Sequence, residues 1–183
     1  MMERPAIFLD RDGVINKKMS EGDYVKDWNE FEFLPGVINA LWKLKRSGYI
    51  IIIVTNQRCI AKGIMDENKL REIHSRMIGH FKKNGIEIDG IYVCPHDESD
   101  NCDCRKPKPG MILNAIDDFR NKGIIIDIKK SYMIGDSEKD ILAGKAVGLK
   151  TIRIAEDIMA DNCLVKESLL SAVTAIITME ARA

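Results

Sequence analysis

Short apolar runs alternate along this chain with segments in which apolar residues recur at helical spacing. Five runs predict buried strands, at Ala6–Leu9, Tyr49–Val54, Gly90–Cys94, Ser131–Ile134 and Lys150–Ile154. The other segments predict helices, one after Pro35, one ending before Gly85, and others near Ile112, Glu138 and Ser168. Near-continuous apolar strands joined by helices are typical of a parallel sheet covered on both faces. The pattern therefore predicts a doubly wound α/β fold with a mainly parallel sheet.

The length of the chain fits one domain over residues 1–183. A chain of 183 residues can bury a full core but is short for two ordinary domains, and no linker or low-complexity tract divides it. The long stretch near the N-terminus without clear periodicity runs from Arg11 to Phe33. A loop of that length in a compact domain is more often functional than idle.

Polar residues follow the predicted strands. They form the motifs DxDG, TNQ and GDSxxD after the first, second and fourth strands, with a lysine after the third: Asp10, Asp12, Thr55, Asn56, Gln57, Lys106, Asp136, Ser137 and Asp140. Each motif alone is typical of a turn or a helix cap. Ligands of an open parallel sheet, however, bind beyond the carboxyl ends of its strands. The coincidence of the motifs at one sheet edge therefore favours a functional site.

Several carboxylates and one lysine at a single edge need a cation, because unpaired carboxylates in proximity repel one another. Hard oxygen ligands with space for water and a phosphate suit Mg²⁺. The strand ends thus predict a magnesium site that handles a phosphate group.

The four motifs, in this order from Asp10 to Asp140, resemble those of the haloacid dehalogenase superfamily of aspartate-nucleophile phosphotransferases. The resemblance implies a Rossmann-like fold of that superfamily. It also implies that Asp10 attacks phosphorus and becomes an aspartyl-phosphate. Asp12 would protonate the leaving oxygen and later deprotonate the hydrolytic water, because an acid or base two residues after the nucleophile is the superfamily's phosphatase pattern.

The same resemblance assigns the remaining roles. It implies that Mg²⁺ is held by the side chains of Asp10 and Asp136 and by the backbone carbonyl of Asp12. Lys106 and the hydroxyl of Thr55 would hold the phosphoryl oxygens, over which the transition state spreads its negative charge. Asp140 would hold these residues in place without binding the metal itself.

A second cluster lies in the loop CPHDESDNCDC, residues 94–104. Three thiolates and one imidazole, from Cys94, His96, Cys102 and Cys104, make a closed tetrahedral donor set typical of structural Zn²⁺. Unrelated free cysteines are the alternative interpretation. A loop this polar has little apolar surface with which to fold itself, so a metal could fix its shape. The metal would then set where Arg105 and Lys106 enter the site.

This loop resembles that of two neighbouring subfamilies with a minimal cap, the heptose-bisphosphate phosphatases and the histidinol-phosphate phosphatases. The segments TNQRCIAKG, GIYVCPH and RKPKPGM favour the heptose branch, whereas the five-residue gap between His96 and Cys102 is similar to the histidinol-phosphate branch. The expected substrate is D-glycero-D-manno-heptose 1,7-bisphosphate, which loses its 7-phosphate, and hydrolysis of histidinol phosphate is the closest alternative.

Substrate contacts are expected from residues around the motifs, namely Asn56, Gln57, Arg58, Arg105 and Ser137. A bidentate guanidinium at Arg105 suits a second phosphate. Cys59 stands where the heptose pattern usually has glycine. That departure concerns which substrate fits rather than the chemistry.

The charge balance bears on the remaining function classes. Basic and acidic residues number 28 each, so no overall field draws the chain to nucleic acid or to an anionic membrane. That balance argues against a polynucleotide end phosphatase, and the intact aspartates argue against an inactive zinc-containing binding module. Since no run reaches membrane length and no secretion signal begins the chain, we expect a cytoplasmic protein, monomeric, whose partner is a small sugar bisphosphate.

Overall fold

The computed structural model describes residues 2–156 and 163–182. Within these ranges the strands are β1 (Met2–Arg4), β2 (Ala6–Leu9), β3 (Ile50–Asn56), β4 (Gly90–Cys94), β5 (Ile124–Ile126), β6 (Tyr132–Gly135), β7 (Lys150–Ile154) and β8 (Leu164–Lys166). The α-helices are α1 (Val37–Arg46), α2 (Glu67–Lys83), α3 (Gly110–Asn121), α4 (Glu138–Ala146) and α5 (Leu169–Glu180). Short 3-10 helices lie at Trp28–Glu30, Glu98–Asp100 and Ile128–Lys130. None of the helices in the described ranges is long and apolar enough to cross a membrane.

One parallel sheet of six strands forms the centre of the structure, in the order β4-β3-β2-β6-β7-β8. Side chains alternate between the two faces of a strand, and helices cover both faces of the middle strands, so both sets of side chains are buried. Ile50, Ile52 and Val54 of β3 pack on the side of α3, whereas Ile51 and Ile53 pack with α1, α2 and α5. The predicted doubly wound, parallel α/β architecture is confirmed.

Three strands were not predicted from the sequence, namely β1, β5 and β8. Each has three residues and is only partly buried, which is too short for a period of two to show. β1 pairs with β5 in a separate two-stranded sheet. Strand β3 also runs past its predicted end at Val54, because Thr55 and Asn56 pair with Val93 and Cys94 of β4.

The same sheet edge receives the carboxyl ends of β2, β3 and β6, as parallel topology requires. Gly13 lets the chain turn away directly after β2, with a positive φ of 84°. A Cβ atom at Gly13 would lie 2.6 Å from Asp136 Oδ2. The loop after β2 can therefore approach the end of β6 only with glycine at this position.

Candidate active site

A cavity of about 330 Å³ opens at this edge of the sheet. It gathers most of the predicted site residues: Asp10, Asp12, Asn56, Gln57, Arg105, Lys106, Asp136, Ser137 and Asp140. The long loop after β2 supplies further lining residues, Lys18, Met19, Asp23, Tyr24 and Val25. Residues separated by more than a hundred positions in the sequence thus meet where the topology predicts a ligand.

Lys106 is a buried cation held between two carboxylates. Its Nζ atom lies 2.9 Å from Asp10 Oδ1 and 2.5 Å from Asp140 Oδ1, and it donates to the carbonyl of Val54 at 2.8 Å. Burial alone would lower the pKa of Lys106, but the charges of Asp10 and Asp140 outweigh burial and raise this pKa. The side chain is therefore a fixed positive charge beside Asp10.

Asp140 is fully buried and holds its neighbours in place. Its Oδ2 atom accepts hydrogen bonds from the backbone nitrogen of Ser137 at 3.0 Å and from Ser137 Oγ at 2.6 Å. Its other oxygen faces Lys106. One oxygen is thus hydrogen-bonded and the other ion-paired within the protein, as expected of a supporting group.

The carboxylates of Asp10, Asp136 and Asp140 form the first candidate metal centre, with ligand oxygens within 4.8 Å of one another. Burial, with repulsion from Asp140 and Asp12, raises the pKa of Asp10 to about 7 although Lys106 opposes this shift. Burial also raises the pKa of Asp136. Two lysines, Lys106 and Lys18, face these three carboxylates and leave negative charge uncompensated, and this oxygen donor set fits Mg²⁺.

Asp10 and Asp136 are the members of that group with oxygens available to a cation, because Asp140 is engaged by Lys106 and Ser137. The sequence motifs do not indicate Lys18, whose Nζ atom lies 2.6 Å from Asp136 Oδ2. Asp12 contributes no carboxylate oxygen to the group. Its expected contribution through the backbone carbonyl stays a prediction.

The carboxylate of Asp12 accepts from three side chains. Arg11 Nη2 and Asn16 Nδ2 donate to its Oδ1 at 2.9 Å each, and Gln57 Nε2 donates to its Oδ2 at 2.9 Å. Burial raises the pKa of Asp12, but the charge of Arg11 and these hydrogen bonds outweigh it, so the pKa lies below its usual range. These contacts therefore hold Asp12 ionised in one orientation.

Arg11 lies just beyond the end of β2. If strand geometry continued to Asp12, alternation would put Arg11 on the side opposite Asp10 and Asp12, but its guanidinium turns back to Asp12. The chain leaves extended geometry at Asp10, where β2 has already ended, and the carbonyl of Arg11 accepts the backbone nitrogens of Val14, Ile15 and Asn16. Alternation therefore does not extend across this turn.

Asn56 clamps the backbone of Lys106. Its Nδ2 atom donates to the carbonyl of Lys106, and its Oδ1 atom accepts from the nitrogen of Lys106, both at 3.1 Å. Gln57 Nε2 donates also to Thr55 Oγ1 at 2.9 Å, and both residues are buried. Both amide residues, which were predicted as substrate contacts, therefore serve at least to position catalytic candidates.

Cys94, His96, Cys102 and Cys104 form the second candidate metal centre, with ligand atoms within 4.8 Å of one another. The sulfur atoms lie 3.0–3.6 Å apart, and His96 Nδ1 lies 3.3 Å from Cys104 Sγ. Tetrahedral zinc with Zn–S bonds of about 2.3 Å separates sulfurs by about 3.8 Å. The four donors stand close to that spacing, and this donor set fits structural Zn²⁺.

The loop 94–104 also meets the cations of the cavity rim. Arg105 Nη1 donates to the carbonyl of His96 at 3.2 Å. Glu98 Oε1 lies 2.7 Å from Lys139 Nζ and 3.7 Å from Arg105 Nη2. The loop thus positions Arg105 beside Lys139, a rim residue that the sequence motifs did not reveal.

Arg58 differs from its predicted role. Its guanidinium pairs with Asp97 at 2.6 Å, and Arg58 does not line the cavity. The chain turns after β3, where Ile60 and Lys62 donate to the carbonyls of Gln57 and Arg58. This turn carries Arg58 toward loop 94–104 instead of the site.

Removing a cysteine of the cluster is expected to reduce activity through Lys106. In Cys104→Ser we expect the loss of one bound zinc per chain, a lower melting temperature and an activity lowered by about 10–100-fold, because the metal fixes the loop before Lys106. Metal analysis, thermal melts and phosphate release measure these effects. The matched control is Cys163→Ser, outside the cluster, which should keep its zinc. Full activity in a zinc-free Cys104→Ser protein would contradict the positional role.

Comparison with known proteins finds relatives over most of this chain. Residues 6–163 match the family described as polynucleotide kinase 3 phosphatase. The D-glycero-beta-D-manno-heptose-1,7-bisphosphate 7-phosphatase of Vibrio cholerae is 45% identical over 157 residues, which cover 82% of this chain and 80% of that protein. The protein of the same description from Escherichia coli K12 is 40% identical over 154 residues, which cover 80% of this chain and 76% of that protein.

Solved structures agree with the fold. The D,D-heptose 1,7-bisphosphate phosphatase from B. bronchiseptica, complexed with magnesium and phosphate, has a TM-score of 0.82 and 30% identity, covering 98% of this chain and 99% of that chain. The D,D-heptose 1,7-bisphosphate phosphatase from Burkholderia thailandensis has a TM-score of 0.65 and 23% identity, covering 96% and 99%. The second similarity concerns the fold alone. Together they confirm the fold predicted from the motifs.

Proposed function

This chain belongs to the haloacid dehalogenase superfamily and, within it, to the family of the D-glycero-beta-D-manno-heptose-1,7-bisphosphate 7-phosphatases, and on that premise we propose that it removes the 7-phosphate of this sugar bisphosphate through an aspartyl-phosphate. The observation that carries the proposed chemistry is the contact of Asp10 with the buried Lys106, beside Asp136. A carboxylate becomes a useful nucleophile toward a phosphate only where such positive charge is fixed beside it.

The first step forms a bond between a carboxylate oxygen of Asp10 and phosphorus and breaks the bond from phosphorus to the sugar oxygen. The backbone nitrogen of Arg11 and Nζ of Lys106 both donate to Asp10 Oδ1, at 2.8 and 2.9 Å. We assign the attack to Oδ2, the oxygen left by these donors. Mg²⁺ held by Asp10 and Asp136 would supply positive charge next to the phosphoryl oxygens, and the B. bronchiseptica relative was solved with magnesium and phosphate.

Asp12 handles the protons in both steps. The negative charge of the bound substrate phosphate raises the pKa of Asp12, so its carboxyl group takes up a proton as the substrate binds. In the first step it gives this proton to the sugar oxygen as that oxygen leaves phosphorus. In the second step its carboxylate takes a proton from water, which attacks phosphorus and releases inorganic phosphate and the Asp10 carboxylate. The hydrogen bonds from Arg11, Asn16 and Gln57 suit the second step directly, because they stabilise the ionised form.

A second phosphate of the substrate is assigned to Arg105. Its guanidinium is mostly buried at the cavity rim, with 13% of the side chain exposed, and Glu98 joins it to Lys139. The two cations at this rim would bind the second phosphate group of the bisphosphate, which a monophosphate substrate lacks.

Substitution of Arg105 is expected to separate bisphosphate from monophosphate substrates. Arg105→Ala should raise KM for heptose 1,7-bisphosphate by about 10–100-fold, the usual worth of hydrogen bonds to a charged group, and change KM for heptose 7-phosphate by less than about threefold. Arg120→Ala on α3, whose partner Asp117 is exposed, is the matched control. Equal losses on both substrates would contradict the assignment.

The proposed substrate is tested by comparing kcat/KM on a panel with Mg²⁺ present. Heptose 1,7-bisphosphate should exceed L-histidinol phosphate and an oligonucleotide carrying a 3′-phosphate by about 100-fold or more, since only the bisphosphate engages both Lys106 and Arg105. The oligonucleotide is included because of the matching family description, and histidinol phosphate because of the loop spacing. A higher kcat/KM on either of these would replace the proposed substrate. Cytoplasmic location and a monomeric state remain part of the proposal.

A further inference from the structure

Arg11 is a buried arginine whose side chain takes no direct part in bond formation or proton transfer in the proposed chemistry. It is only 1% exposed, and its guanidinium lies 5.8 Å from the ring centre of Phe31. One of its terminal nitrogens donates to Asp12, and the other, Nη1, lies 3.1 Å from His74 Nε2. The guanidinium therefore connects helix α2 to the carboxylate of Asp12.

The protonation state of His74 follows from this contact. A guanidinium has only donors, so His74 Nε2 must accept and the ring must be neutral. Burial, followed by the charge of Arg11, lowers the pKa of His74 to about 4, which agrees with a neutral ring. His74 is 9% exposed and therefore fixes Arg11 from within the core.

We propose that His74 is a positioning residue for proton transfer, which acts through Arg11 to hold Asp12 in line with the leaving oxygen. The inference rests on the proposed function, because Asp12 is the acid in that function. Arg11 has two terminal nitrogens. Because His74 binds one of them, the planar guanidinium cannot rotate, and the other nitrogen stays directed at Asp12. Without an acceptor at position 74 the guanidinium would rotate toward other acceptors. Asp12 would then keep only the hydrogen bonds from Asn16 and Gln57, which hold its orientation less tightly.

The test compares two substrates that differ in their need for an acid. An alkyl phosphate such as heptose 1,7-bisphosphate needs a proton on its leaving oxygen, whereas 4-nitrophenyl phosphate releases a stable anion without one. The value of kcat/KM covers the steps up to departure of the leaving group. The ratio of the two kcat/KM values is independent of how much of a preparation is folded, so it remains informative for a destabilised variant.

In His74→Leu we expect the ratio of kcat/KM on the alkyl phosphate to kcat/KM on 4-nitrophenyl phosphate to fall by about tenfold. This is a fraction of the rate enhancement of about 10²–10⁴-fold that a general acid contributes. Asp12→Asn should move the ratio in the same direction by about 100-fold or more. His74→Gln keeps an acceptor for Arg11 and should restore the ratio to within about threefold of the wild-type value.

His80→Leu is the matched control, because His80 lies on the same helix but stacks on Phe33 at 4.5 Å. Its ratio should equal that of the wild-type protein. A wild-type ratio in His74→Leu, or an equally reduced ratio in His74→Gln and His74→Leu, would overturn the positioning role. A wild-type protein without activity on the alkyl phosphate would instead overturn the proposed function, and the positioning role with it.

Discussion

Asp10→Asn is expected to lose phosphate release by on the order of 10⁴-fold or more, as enzymes do when a covalent nucleophile is removed. An amide oxygen is a much weaker nucleophile than a carboxylate, and the substitution also removes a negative partner of Lys106 and a candidate ligand of Mg²⁺. Initial rates of phosphate release on heptose 1,7-bisphosphate measure this effect. Acid quenching of the wild-type protein during turnover should trap one phosphoryl group on the peptide that contains Asp10.

The matched control is Asp117→Asn, an exposed aspartate on α3 that pairs with Arg120. It should retain wild-type rates. Activity of Asp10→Asn above about one hundredth of the wild-type rate, or a phosphoryl group trapped on another residue, would contradict the nucleophilic role of Asp10.

Lys106→Met is expected to lower both activity and stability. The loss of a fixed charge beside the reacting group should reduce kcat by about 10²–10³-fold. The same change leaves the buried carboxylates of Asp10 and Asp140 without their shared cation, and removal of one partner of a buried ion pair costs about 3–5 kcal/mol of unfolding free energy. Kinetics and denaturant unfolding measure the two effects separately.

Lys108→Met provides the comparison, since Lys108 lies two positions further along and its side chain is 42% exposed beside Asp103. It should change the unfolding free energy by less than about 0.5 kcal/mol and leave kcat unchanged. A Lys106→Met protein that is stable and retains kcat would show that the buried ion pair is dispensable.

The hydrophobic pattern predicts the sheet well because its strands are buried on both faces. Ile50 to Val54 form an unbroken apolar run, and both faces of β3 are covered by helices. The edge of a parallel sheet then brings together motifs that lie far apart in sequence, which is why Asp10, Lys106 and Asp136 could be assigned to one site. Strands of three residues, such as β8, leave no periodic signal.

The contacts that tune the site were less predictable, because they depend on the path of individual side chains. The helical period of α2 places His74 on the apolar face, between Leu70 and Met77. Its contact with Arg11 nevertheless joins positions 63 residues apart, and no sequence pattern pairs the two. Arg58 follows the TNQ motif directly, yet the turn after β3 directs it to Asp97. Sequence order therefore predicts which strand ends meet, but not where a long side chain points after a turn.

Hydrolysis of the 7-phosphate of D-glycero-beta-D-manno-heptose 1,7-bisphosphate through Asp10, as proposed, fixes which of the two phosphates is released. Both phosphorus resonances of that substrate can be followed by ³¹P NMR, with the purified protein and Mg²⁺. We expect inorganic phosphate to replace the 7-phosphate resonance while the 1-phosphate resonance persists, and we expect Asp10→Asn to leave both resonances unchanged. Loss of the 1-phosphate first, or no change with the wild-type protein, would contradict the proposed hydrolysis.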